Sequence, residues 1–131
     1  MILHLETSPA GGQRVVEALS GAGMPADILR VDTREGFEAA LSAAAERGGL
    51  DLILACYGLP GLPAPEALAL AQRCCPTVPF IFVGEALPVP AQIELLQRGA
   101  TDYVLNEDLA RLPAAASASA TRCPPAGLVS R

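Results

Sequence analysis

The chain has 131 residues, 51% of them apolar, so it has the length for one packed domain and is too apolar for a disordered one. Nine arginines and no lysine face fourteen carboxylates, and the net charge of −5 with scattered cations gives nucleic acid little to hold. No apolar run approaches the roughly 20 residues of a membrane span, and Met1–Leu5 is too short and lacks the basic start of a secretory signal.

A cytoplasmic protein is therefore expected, with its four cysteines as free thiols. Cys74 and Cys75 are adjacent, Cys56 lies in an apolar run, and no pair has zinc spacing.

In chain order, Ile2–Leu5 reads as a first strand, closed by Glu6-Thr7-Ser8-Pro9. Gln13–Ala22 reads as a helix with Val15, Val16 and Leu19 on one face, and Ile28–Val31 as a second strand. Thr33 is a plausible N-cap for a helix from Arg34 to about Arg47, stopped by Gly48-Gly49. Leu52–Cys56 is a continuous apolar run, as a central parallel strand requires. A turn-rich loop, Tyr57–Pro63, leads to a helix from about Pro65 to Cys74. Phe80–Val83 is the fourth strand, Pro90–Arg98 a helix carrying Ile93 and Leu96, and Tyr103–Leu105 the fifth strand.

Strands alternating with helices at this spacing predict a flavodoxin-like, doubly wound α/β fold. The expected sheet is parallel and five-stranded, in order 2-1-3-4-5, with helices on both faces. Function belongs at the carboxyl edge of such a sheet, which here carries Glu6, Thr7, Cys56, Gly84 and Asn106. Residues 1–112 form the expected domain. The alanine- and proline-rich stretch 113–131, without a large apolar anchor before its last residues, reads as a marginal fifth helix and a disordered tail.

The segments Asp51–Gly61, Val78–Val83 and Gly99–Leu105, with the opening Ile2–Glu6, resemble the receiver domains of two-component response regulators. The resemblance covers about residues 1–112. It implies an acidic pair after the first strand and an aspartate ending the third, which together hold magnesium. That aspartate accepts a phosphoryl group, which a Ser/Thr after strand four and a lysine after strand five then contact. Here Glu6 keeps the first acidic position, but Thr7 stands at the second. Cys56 replaces the phosphoacceptor, Gly84 the hydroxyl residue and Asn106 the lysine, while Tyr103 keeps the switch aromatic.

Such a chain is expected to bind no magnesium, because the ion prefers oxygen ligands and thiols suit softer metals. Asp51 cannot stand in, being roughly 16 Å from Cys56 along the strand. The resemblance thus implies a degenerate receiver that is not an enzyme, has no catalytic or metal-ligating residue, and signals through protein contact. Its expected contact surface is the helix 4–strand 5–helix 5 face, with Ile93, Leu95, Arg98, Tyr103, Glu107 and Arg111. The partner is another signalling protein or a second copy, with no role for nucleic acid or membrane.

Two other readings stay open: a thiol-based redox sensor using Cys56, and a phosphorelay receiver using a different acceptor. Against the first, Cys56 also reads as a small apolar filler, with Glu6 and Glu85 expected to raise its pKa. Glu85 reads as a solvated loop acid or as a mimic of bound anion. His4 reads as a satisfied strand residue, and one of Cys74 and Cys75 as inward-facing.

Overall fold

The computed structural model describes residues 1–23, 27–56 and 61–116. Five parallel strands, β1 (Ile2–Leu5), β2 (Ile28–Val31), β3 (Leu52–Ala55), β4 (Phe80–Gly84) and β5 (Asp102–Leu105), form one sheet in order β2-β1-β3-β4-β5. Four helices alternate with them: α1 (Pro9–Gly21), α2 (Arg34–Arg47), α3 (Ala64–Cys74) and α4 (Val89–Gln97). A 3-10 turn, Asn106–Arg111, follows β5 and runs into a helical segment over 112–116. This is the flavodoxin-like order expected from the alternation of strands and helices. No helix among the described residues is long and apolar enough to cross a membrane.

Strand alternation divides the core in two. Leu3, Leu5, Ile53, Ala55, Phe80 and Phe82 pack with Phe37, Leu41, Leu68 and Leu95 from α2, α3 and α4. Ile2, Leu52, Leu54, Ile81, Val83 and Val104 pack with Val15 and Leu19 of α1 on the other face. β1, β3 and β4 are buried throughout, as strands covered on both faces must be.

The first helix begins four residues earlier than its apolar periodicity suggests. Ser8 caps it, its hydroxyl accepting from the Gly11 N–H at 3.2 Å, and Pro9 opens its first turn. Gly11 and Gly12 are buried in the first turn of this helix. Thr33 caps α2 as expected, accepting from Gly36 N–H at 3.0 Å. Cys75 is the inward cysteine of its pair, and Cys74 is half-buried.

Past residue 112 the chain still contributes to the core. Leu112 is fully buried, and Ala115 and Ala116 are each 6% exposed against the α1 face. The packed core thus reaches Ala116, into the stretch expected as a marginal fifth helix, because alanines bury well where a helix packs close. The expected tail over 117–131 lies outside the described residues, as do residues 57–60 of the loop after Cys56.

Gly99 ends the α4 turn at φ +114°, and the Gln72 amide, donating to the Arg98 carbonyl at 2.8 Å, occupies the space a Cβ would take. Gly99→Ala is expected to cost about 2 kcal/mol, read as a lower urea midpoint at unchanged slope, since both the backbone and Gln72 must move.

Candidate functional site

The sheet register brings the carboxyl-edge residues together. Leu5 pairs with Ala55, and the Cys56 N–H donates to the Leu5 carbonyl at 2.9 Å, so Glu6 and Cys56 emerge side by side. Gly84 pairs with Leu105, which places Asn106 next to the β4 exit. Between them lies a cavity of about 420 Å³ lined by Glu6, Cys56, Gly84, Glu85, Tyr103 and Asn106, together with Ser8 and Arg14 of the first loop and helix.

Glu6 is held in place from several directions. Its N–H donates to the Val31 carbonyl, its own carbonyl accepts from Arg30 Nη1 at 2.8 Å, and its Oε2 accepts from the Ser8 N–H at 3.3 Å. The carboxylate rests on the first turn of α1, where a Cβ at Gly11 would stand 2.5 Å from Oε1. Negative charge is favoured at a helix N-terminus. Thr7 is exposed and does not line the cavity.

The Cys56 thiol is pushed up to about 11, by burial first and by the Glu6 carboxylate second, with the Thr7 and Cys56 N–H groups offsetting part of the rise. Only about one thiol in ten thousand is ionised at neutral pH at that value. A redox thiol needs the opposite shift. Glu85, expected to contribute to the rise, is not among its causes, although it does line the cavity.

Tyr103 departs from the expectation of a contact residue. It is 5% exposed, its ring stacks on Phe82 at 6.3 Å, and its hydroxyl donates to the Glu85 carbonyl at 2.7 Å. Arg111 fastens the same strand from the outside, donating to the Tyr103 carbonyl at 2.6 Å and to Asp102 at 3.1 Å. Leu95 is likewise buried, at 3% exposed, and serves as the anchor of α4 in the core. Both residues therefore leave the expected contact surface, whose exposed members are Ile93, Arg98, Glu107 and Arg111.

Arg14 was not foreseen at the site. Read from Gln13, the helix leaves Arg14 in a first turn without a direction. Starting at Pro9, it turns Arg14 toward Glu85 and Asn106, and these three residues also line a neighbouring hollow of about 340 Å³. Among the described residues, the cavity lining therefore holds one cation, Arg14. Asp51 stays far from it, its carboxylate paired with the N-terminal ammonium at 2.6 Å.

Magnesium, the ion used by receivers with intact sites, does not fit this donor set. Glu6 and Glu85 both line the cavity, but only the Glu6 carboxylate acts on Cys56, and Cys56 itself is a protonated thiol in place of an oxygen ligand.

No family model matches the sequence, and no curated protein does. Solved structures match along nearly the whole chain. The signal receiver domain of a protein described as a Luxo repressor, from Vibrio parahaemolyticus, superposes with a TM-score of 0.78 at 21% identity, covering 99% of this chain and 96% of that one. A response-regulator receiver domain from Clostridium thermocellum gives 0.76 at 17% identity, over 92% and 94% of the two chains. The receiver domain of NtrX from Brucella abortus gives 0.75 at 19%, over 92% and 98%. The chain has the fold of response-regulator receiver domains.

Proposed function

We propose that the chain is a degenerate receiver that works in signal transduction by protein–protein contact, without aspartyl phosphorylation, magnesium or enzymatic turnover, in the cytoplasm. The observation that carries this reading is Cys56 in the lining of the carboxyl-edge cavity, beside Glu6 and at the end of β3 where an acceptor aspartate would stand. A neutral thiol cannot form the acyl phosphate on which receiver signalling depends. Phosphoryl transfer draws nearly all its help from charge stabilisation, and here the metal-binding pair is incomplete.

The contact surface centres on α4. Val89, Ile93 and Leu96 are 65%, 46% and 43% exposed, and their spacing sets them along one side of the helix. Arg98, Glu107 and Arg111 supply polar groups around it. Tyr103, donating its hydroxyl to the Glu85 carbonyl, ties the loop before this helix to β5.

The partner is a signalling protein or a second copy of the chain. Sedimentation of the pure protein and affinity capture from its native cytoplasm, each with wild type and with Ile93→Glu/Leu96→Glu, test the surface. Loss of self-association or of a captured signalling protein in the variant supports it. An association that the variant retains, or none in either assay, counts against it.

A further inference from the structure

Strand β2 forms the edge of the sheet opposite β5, and among the described residues it pairs only with β1. Its bonds to β1 run through alternate residues. The Ile2 N–H donates to the Asp27 carbonyl, and the Glu6 N–H to the Val31 carbonyl. In a parallel ladder the residues between these turn both backbone groups the other way. Ile28 and Arg30 therefore each present an N–H and a carbonyl along the open edge. Native edges are commonly guarded by a charge within the strand. Here that charge is drawn back, because Arg30 Nη1 donates to the Glu6 carbonyl at 2.8 Å and its Cδ lies over Gly12. The side chains left beside the edge are apolar. Leu29 is 43% exposed on the α2 side, and Val16 is 38% exposed next to Ile28 on the α1 side. Asp27 and Asp32 stand at the two ends of the strand, both exposed and without an ion-pair partner among the described residues.

The flanking charges select the occupant of this edge. Two copies of the chain paired antiparallel through residues 28–31 would set Asp27 of each against Asp32 of the other, and like charges across strands destabilise a sheet. A strand with a cation at each end meets both carboxylates favourably. We propose that β2 receives an extended segment of a partner protein as a sixth strand, apolar in its middle and with basic residues placed to face Asp27 and Asp32. Backbone bonds to Ile28 and Arg30 hold the segment, while Leu29 and Val16 give it apolar contact. This surface lies at the sheet edge opposite the α4 face, so each can fail without the other.

The test is an amide chemical-shift titration of the whole chain with the end-blocked peptide Lys-Val-Thr-Val-Val-Lys, whose lysines have the spacing of Asp27 and Asp32. Saturable shifts over Ile28–Val31 are expected, at about millimolar affinity or tighter. The Ile28 and Arg30 amides should exchange more slowly in the complex, while those of Leu29 and Val31 change little. A peptide with glutamate in place of both lysines, or with proline in place of the threonine, should bind at least about tenfold more weakly. Asp27→Lys/Asp32→Lys should reverse the preference and favour the glutamate peptide, and Leu29→Thr should weaken binding of the lysine peptide. The α4 variant Ile93→Glu/Leu96→Glu should bind that peptide as wild type does. No saturable shift up to about 10 mM, equal binding of the glutamate peptide to wild type, or shifts centred away from β2 would overturn the proposal. So would self-association of the free chain that Leu29→Thr abolishes, which would assign the edge to a second copy.

Discussion

Lowering the pH from about 6.5 to about 4 is expected to remove about 3 kcal/mol of stability through His4 alone. Burial, with the nearby positive charge of Arg30 as the lesser cause, pulls this histidine down from 6.5 to about 4. Between those two values the unfolded chain binds a proton that the folded chain does not, so acid favours unfolding. The His4 contribution is fully present above pH 6.5, falls through the window, and stops changing below about 4. Each pH unit inside the window is worth up to about 1.4 kcal/mol.

Carboxylates also titrate at the acid end, so the comparison that isolates His4 is between wild type and His4→Leu. The variant should be at least as stable at pH 7, because it removes a buried nitrogen with no partner. Urea unfolding at several pH values should give a difference between the two proteins that widens steadily from pH 6.5 to 4. Parallel curves would show that His4 is already protonated in the fold or open to water.

Restoring aspartate at residue 56 alone is expected to leave the chain unphosphorylated, whereas the fourfold variant Thr7→Asp/Cys56→Asp/Gly84→Thr/Asn106→Lys should accept a phosphoryl group when magnesium is present. Groups that act as a unit recover little of their joint effect singly. Cys56→Asp sets a second carboxylate beside Glu6 in a half-buried cavity without the metal that would screen both. Arg14 at the rim relieves some of that repulsion, but it lies with Glu85 and Asn106 and provides no metal ligand. Intact mass after exposure to a small phosphodonor, with and without magnesium, separates the outcomes. Stoichiometric modification of Cys56→Asp alone would mean the site is less degenerate than proposed. A folded but inert fourfold variant would mean that these positions do not form the acceptor site.

The fold was legible because five apolar runs of strand length alternate with amphipathic stretches, and their order left one economical topology. The errors came where small residues do the packing. Pro9-Ala10-Gly11-Gly12 has poor helix propensity, yet the Ser8 cap and the close approach of Glu6 and Arg30 make it the first turn of α1. Ala115 and Ala116 offer little apolar area each, so periodicity could not show that they are buried.

At the site, register alone put Glu6, Cys56, Gly84 and Asn106 on one edge. Which side chains face inward was harder to read. Ile93 and Leu96 mark α4 as amphipathic, but the buried residue is Leu95, and the exposed pair belongs to the outer face. Strand parity sets His4 with Ile2 on the α1 side of the sheet, so its burial was readable. Its missing hydrogen-bond partner was not, because nothing in the sequence says that no neighbouring group reaches Nδ1.

The most direct measurement is intact mass of the unmodified chain after incubation with acetyl phosphate and magnesium, followed by peptide mapping. No phosphorylated species is expected, with Cys56 recovered as a free thiol. One stoichiometric, magnesium-dependent phosphoryl group on any residue would contradict the proposal and make the chain a working receiver with a different acceptor.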